Sequence, residues 1–414
     1  MNCFKNDFTG MIHNILFLVF HTLFFFLVKL LGLVCLIIRC RKWQPWLAGP
    51  KSSVLWIEPF PPGNAGYHWR AYQWCNILKD MGFVAIIKNV ISEKEFESFG
   101  ERRYGLFIKF MLKRLIHCLN SLRYQTIIVR REILFFNDYG NLYMEKLLLA
   151  IHPNVILDFD DDIAASKGEP REIKSWFGRL MLENGNKFND SLRLYKRFIV
   201  ASNYLKEKVL RENPSVDPEN ILVMPTCVDY DRHEPKIYDI NKPVITFGWI
   251  GGNQNQPYLY EIIPALNSIA KDYQIELLIV SGKTLKAETD FPVINRPWSL
   301  VTEVDDLKSI DVGLMPLPLN DRTRGKGGFK LIQYMGLGIV SVASAITINR
   351  EIIEDGENGF LVEPGVSWYD KLFKIVQKRE TFPAIGKNAR ESIMKNYTFK
   401  ANKEKYISFL QSEG

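Results

Sequence analysis

Cysteine is scarce and unpatterned in this chain. The six cysteines, Cys3, Cys35, Cys40, Cys75, Cys118 and Cys227, are scattered without the spacing of a zinc site, and Cys35 sits inside an apolar run. This argues against a disulfide frame or a zinc-held fold and fits reduced thiols of a cytosol-facing protein. No internal repeat or low-complexity segment is present, so a solenoid or a polar tail is not expected. A strong excess of one charge is also missing. Fifty-three Lys and Arg against 46 Asp and Glu leave +7, too mild and dispersed to imply a nucleic-acid partner. That balance suits an anionic membrane surface or a phosphate-bearing ligand.

What the chain does have is length and apolar content. Its 414 residues exceed one ordinary hydrophobic core, which predicts two domains of roughly 150–200 residues. Hydrophobic residues at 47% and charged residues at 24% are those of a globular protein.

Residues Ile15 to Ile38 are almost continuously apolar. As a helix they cover roughly 36 Å, enough for a hydrocarbon core of about 30 Å. Lys5 precedes the run, whereas Arg39, Arg41, Lys42 and Lys51 follow it. The positive-inside rule then puts the C-terminal side in the cytoplasm. A cleaved signal peptide would have a shorter apolar region and its basic cluster at the other end. The expectation is an anchor helix over 11–39, single-pass, in the cytoplasmic membrane. Asn14, His21, Thr22 and Lys29 fall within an arc of about 100°, so an interfacial helix is the alternative. In a true span this stripe would face a partner helix or the rest of the protein.

Beyond a linker over 43–50, short apolar runs alternate with loops and helical stretches. Strands are expected at Val54–Ile57, Phe83–Ile87, Thr126–Val129, Val155–Leu157 and Phe198–Val200, with a helix from Trp69 to Met81. A polar break from Glu234 to Pro243 marks a boundary. The pattern then restarts with strands at Val244–Phe247, Ile275–Val280, Asp311–Met315, Ile339–Val342 and Phe360–Val362, and a helix from Tyr258 to Lys271. Runs of this kind belong to parallel sheets buried on both faces. The expected domains are 50–235 and 240–390, with a helical segment over 391–414, and ligands should bind at the carboxyl ends of the strands.

Two segments stand out chemically. In Arg322-Thr-Arg-Gly-Lys-Gly-Gly-Phe-Lys330, four cations fall within nine residues, interleaved with Gly325, Gly327 and Gly328. A helix beginning near Gly328 would turn its positive end to a phosphate; a solvated basic loop is the plainer reading. The second is Asp158-Phe-Asp-Asp-Asp162, after the strand that ends at Leu157. It reads as an Asp-x-Asp manganese site, as the first motif of a haloacid-dehalogenase-like phosphatase built on Asp158 and Asp160, or as a plain capping turn. The loop Pro59–Gly66 adds Gly63, Gly66 and His68 as cleft-facing candidates, although a lone histidine at a helix start is more often structural.

The second half resembles the nucleotide-sugar domain of glycosyltransferase family 4 (group 1), in the bacterial subgroup with an Arg-Gly-Lys-x-Gly-Phe-Lys-Leu motif. The resemblance rests on Phe247-Gly-Trp-Ile-Gly-Gly252, Asp311 to Pro318, Arg324 to Met335 and Asn349 to Phe360, in order. It implies a GT-B fold, two Rossmann-like parallel α/β domains facing a cleft. It implies retention of anomeric configuration and no cofactor or obligatory metal. The donor would be a nucleotide-sugar and the acceptor a saccharide, lipid-linked or of the envelope. By this likeness Lys326 and Lys330 meet the donor diphosphate with Arg324 close by, Gly251 and Gly252 line the pocket, and Trp298 lies where the base is seated. Asp160 and Asp161 become the candidate catalytic pair on the acceptor side. The family's Glu-x7-Glu is replaced by Gly325 and Gln333; the Gln333 amide could still bond ribose hydroxyls, but the loss admits a catalytically impaired binding or scaffold protein.

Overall fold

The computed structural model describes residues 2–40, 52–97, 104–136, 138, 140–164, 186–231 and 233–412, with backbone alone at 2–10, 38–40, 97 and 104. The linker expected over 43–50, and Arg41, Lys42 and Lys51, lie outside them. The chain forms two compact units: Met1–Ala201 with Leu205–Val223 and Ile407–Gly414, and Ser202–Tyr204 with Met224–Tyr406. The division thus falls after Val223, earlier than the polar break over 234–243. The last residues of the chain rejoin the first unit, while 391–406 belong to the second.

The first unit holds six parallel strands: β1 Ser53–Ile57, β2 Val84–Lys88, β3 Thr126–Arg130, β4 Val155–Phe159, β5 Arg197–Val200 and β6 Ile221–Val223. Their order is β2-β1-β3-β4-β5-β6. Every residue of β1, β3, β4 and β5 is buried, which is why these segments read as unbroken apolar runs. The register sets Arg130 of β3 beside Asp158 of β4, so charged residues gather where both strands end. Strand β6 was not expected; three residues are too short for a periodic signal.

The first helix, α1 (Asn2–Cys40), packs on the helices Tyr104–Asn120 and Tyr143–Ile151 of the same unit. Asn14, Phe17, His21, Phe24 and Val28 are buried, one face at helical spacing. His21 Nε2 lies 2.9 Å from the Tyr143 hydroxyl. The part of the polar stripe made by Asn14 and His21 therefore faces the rest of the protein. Thr22 and Lys29 are exposed, and Thr22 Oγ1 donates to the Leu18 carbonyl one turn back. The opposite face is apolar and open, with Leu16, Leu23 and Leu30 each at least 60% exposed. Met11–Ile37, 27 residues, is long and apolar enough to cross a membrane by length and composition.

The second unit repeats the architecture with β7 Ile245–Ile250, β8 Ile275–Val280, β9 Val293–Arg296, β10 Val312–Met315, β11 Val340–Ser344 and β12 Phe360–Val362, in the order β12-β11-β10-β7-β8-β9. All pairs are parallel. Strand β7 continues through Trp249 and Ile250, beyond the expected end at Phe247, because all six residues are buried and pair with β8. Strand β9 is the strand expected just before Pro297-Trp298, and its four residues are only half-buried. In place of one helix from Tyr258 to Lys271 there is a 3-10 stretch, Asn253–Glu261, and then a helix, Ile263–Ile269. Pro264, at a first-turn position, cannot supply an N–H to a continuous helix.

Candidate functional site

In the first unit the carboxyl ends of β1, β3 and β4 carry Glu58, Arg130, Arg131 and the Asp158–Asp162 run. Arg70, on the helical segment after the glycine loop, clamps Asp158: its terminal nitrogen donates to Oδ1 and its Nε to Oδ2 at 3.4 Å. Asp160 accepts from Arg130 at 3.1 Å and from two nitrogens of Arg131 at 3.1 and 2.8 Å. Arg130 also lies 3.6 Å from Glu58. Asp162 is held by Lys208 and accepts from the Ala164 N–H. Side-chain exposure separates the run: 4% for Asp158, 18% for Asp160, 35% for Asp161 and 4% for Asp162. Asp161, with Arg131 at 3.7 Å, is the carboxylate most open to a ligand.

The electrostatics follow from these contacts. Burial pushes the Asp160 carboxyl up, but Arg131, Arg130 and Arg70 outweigh it and hold the group well below the usual carboxylate range. Glu58 shows the opposite balance: burial outweighs Arg130, the Phe60 N–H and the remaining arginines, and raises it to about 7. Asp158 and Asp160 are thus neutralised by fixed protein cations. A phosphatase nucleophile at Asp158 would need a carboxylate free of the guanidinium that binds both its oxygens.

The glycine loop supports this network. A Cβ at Gly66 would lie 2.7 Å from the Arg130 guanidinium, so a glycine there lets Arg130 lie close beneath the loop. Gly66 N–H donates to the Asn64 side chain at 2.9 Å, which starts the helix. At Gly63 a Cβ would collide with the Glu93 carboxylate. His68 is bonded to Gln73 at 2.9 Å and stacked on Tyr72. Burial lowers its pKa below the ordinary value, the setting of a structural histidine.

In the second unit the basic segment is not one open loop. Asp321–Arg324 forms a short helix closed by a reciprocal cap between Asn320 and Thr323. Arg324 is exposed, 4.0 Å from Asp321. Lys326 is half-buried and donates its backbone N–H to the Thr323 carbonyl at 3.2 Å. The next helix, α2 here (Phe329–Gly336), begins after Gly328 at φ 69. A Cβ at Gly328 would also press on Ile352 at 2.6 Å, so two constraints require glycine.

Helix α2 ties the site to strand β7. The Tyr334 hydroxyl accepts the Ile250 N–H at 2.9 Å, and the Lys330 ammonium lies 5.5 Å from the Trp249 ring centre. Gly251 follows directly, and a Cβ there would meet Lys330 Cε at 2.6 Å. Gly252 is exposed and precedes the 3-10 stretch. Trp298, half-buried after β9, and Gln333, buried in α2, meet through one residue. Trp298 Nε1 donates to Glu303 Oε2 at 2.6 Å, and Gln333 Nε2 donates to Glu303 Oε1 at 2.9 Å.

The structure therefore brings Gly251 to Lys330, and Trp298 to Gln333. Arg324 and Lys326 sit on the preceding turn, where the Arg324 carbonyl accepts from the Thr347 hydroxyl at 2.8 Å. Sequence reasoning missed Glu303, Tyr334, Arg130 and Arg131 as site residues. The arginine pair had a signal, two cations directly after an apolar strand. Glu303 had none, since an acid at a helix start reads as a cap.

Residues 241–378 match the model of the family Glycosyl transferases group 1. No curated protein sequence matches the chain at a significant level. Among solved structures, a glycosyltransferase from Rickettsia africae is 15% identical and superposes at TM-score 0.59, covering 88% of this chain and 100% of its own. The HepE protein of Anabaena, solved in complex with UDP-glucose, is 13% identical at TM-score 0.60, with 87% and 100% covered. Sucrose-phosphate synthase of Thermosynechococcus elongatus is 12% identical at TM-score 0.63, with 86% and 98% covered. The two parallel α/β units of this chain have the GT-B glycosyltransferase fold, and its second unit carries the match to the group 1 glycosyltransferases.

Proposed function

We propose that the chain is a glycosyltransferase that moves a sugar from a nucleotide-sugar donor to a saccharide acceptor. One observation carries the reading. Within the span that matches the group 1 family, Gly251 leaves room for Lys330 against Trp249, at the start of a helix entered through a left-handed glycine. A lysine and a helix N-terminus at the carboxyl end of a parallel strand suit a diphosphate. Anabaena HepE was solved with UDP-glucose, and uridine diphosphate is accordingly the first donor nucleotide to try.

In this reading Lys330, Lys326 and Arg324 stabilise the charge that develops on the leaving diphosphate. Those cations remove the need for a metal at the phosphate. Asp161 orients the acceptor, with Asp160 held ionised beside it by Arg130 and Arg131. The sugar is transferred with retention, as the group 1 resemblance implies, and the acceptor is a lipid-linked or envelope saccharide. Calorimetric titration with UDP, ADP and GDP, followed by a nucleotide-release assay with the matching sugar donors, tests the reading. A folded protein that binds no nucleoside diphosphate overturns it; binding without release supports the catalytically impaired alternative.

The chain works at the cytoplasmic face of a membrane, attached by α1. One face of α1 is buried against the first unit while the opposite face is apolar and open. That favours a helix lying in the interface over a span surrounded by lipid. Arg39, Arg41, Lys42 and Lys51 follow it in sequence and suit an anionic leaflet.

A further inference from the structure

Glu303 is 2% exposed, and no ion pair reaches it among the described residues. A buried carboxylate without a cation is costly unless its lone pairs are filled by donors. Here two side chains reach them: the Trp298 indole N–H at 2.6 Å and the Gln333 amide at 2.9 Å. Burial raises its pKa, and the bonds from Trp298 and Gln333 oppose the rise. The two donors come from separate parts of the second unit, the turn after β9 and α2.

An ionised carboxylate only accepts. It therefore dictates which end of the Gln333 amide it meets: the NH2 group faces Glu303, and the amide oxygen is left as the acceptor for something else. Gln333 follows Lys330 by three positions on α2, so the two share a face. Trp298 is turned by the same carboxylate, which binds its one polar atom and leaves the ring faces to pack. We infer that Glu303 is a positioning residue of the donor pocket. It sets the Gln333 oxygen to accept hydroxyl protons from the sugar of a nucleotide, and fixes the Trp298 ring for the base. The inference rests on the donor reading above. It gives the carboxylate missing at position 333 a counterpart thirty residues earlier in the chain, joined to the amide by a hydrogen bond.

The test is a charge exchange. Glu303→Gln, Gln333→Glu and the double variant are compared with wild type by calorimetric titration with UDP and by KM and kcat for the sugar donor. Melting temperatures establish that each variant is folded. Glu303→Gln frees the amide sense, so UDP affinity falls roughly tenfold, the scale of one charge-assisted bond, and KM rises more than kcat falls. Gln333→Glu sets two buried carboxylates against each other and weakens binding at pH 8 more than at pH 6. The double variant restores one carboxylate and one amide in the pair and recovers UDP affinity to within about threefold of wild type. UDP binding and KM unchanged in folded Glu303→Gln overturn the inference, as does a double variant no better than the sum of the singles. If wild type binds no nucleoside diphosphate, the donor reading fails and the inference with it. If wild type binds UDP and Glu303→Gln binds it equally, only the inference fails.

Discussion

The Lys330 ammonium lies 5.5 Å from the centre of the Trp249 ring, and both side chains close on the place a Cβ would take at Gly251, at 2.6 and 2.7 Å. Gly251→Ala should therefore displace Lys330 and weaken nucleoside diphosphate binding about tenfold. Lys330→Ala and Arg324→Ala, which each remove a cation, should weaken it roughly ten- to a hundredfold. Calorimetry with UDP reads all three, and unchanged affinity in both alanine variants would place the diphosphate elsewhere.

The acceptor side should behave differently from the donor side. Asp161→Asn should lower turnover while leaving UDP affinity near wild type. Asp160→Asn should lower turnover too, and also melting temperature, since it leaves Arg130 and Arg131 without their closest carboxylate. Chelator should leave nucleotide release intact if protein cations hold the diphosphate. Complete loss restored by manganese or magnesium would show that a cation does so instead.

Two groups of the same cluster give opposite pH dependences. Asp160 has a depressed folded pKa, so its contribution to stability is present above the ordinary carboxylate range and is lost as pH falls toward the depressed value. Glu58 is raised to about 7. Between its ordinary value and about 7 the folded protein keeps a proton that the unfolded chain has released, so stability declines as pH rises through that window, by roughly 3 kcal/mol at most. Urea unfolding at pH 5 and pH 8 should show this decline, and Glu58→Gln should flatten it. An equally steep decline in Glu58→Gln would assign the effect to another group.

Attachment through the open face of α1 is testable without disturbing its packed face. Leu16, Leu23 and Leu30 recur every seven residues and are exposed. Leu23→Asp with Leu30→Asp should abolish flotation with anionic vesicles and leave the melting temperature close to wild type. Phe17→Asp, on the buried face, should instead destabilise the first unit. Alkaline carbonate should strip the wild-type protein from membranes; retention would point to a true span.

The parallel sheets were legible because a strand buried on both faces is written as an apolar run, as in Val54–Ile57 or Ile275–Val280. The strand β7 was cut short because Gly248 and Gly251–Gly252 looked alike as loop glycines. Only the fold distinguishes them, since Gly248 packs beneath Ile310 inside a sheet. The basic segment was found from its composition, but not the short helix that carries Arg324, whose signal is a cap at Asn320 rather than a periodicity. Glu303 was invisible for a deeper reason. Its partners lie 5 and 30 positions away, and no local pattern joins them. The polar positions of α1 were seen as a stripe, but which of them meet protein depends on Tyr143, over a hundred residues later.

The chain's closing helix, Phe399–Gln411, begins among the residues of the second unit and ends among those of the first. Arg197 of β5 donates to the Phe409 carbonyl and, at 2.9 Å, to the Ser412 hydroxyl, and the Phe409 ring lies 4.6 Å from the same guanidinium. The two units are consequently not separable by a single cut. A fragment ending near residue 223 would bare the Arg197 guanidinium that Phe409 and Ser412 cover, and should need residues 407–412 supplied as a peptide in trans for full stability. Loss of a few residues at the far end of the sequence would then be felt first in the first unit, and only afterwards in the unit to which those residues are nearest in the chain.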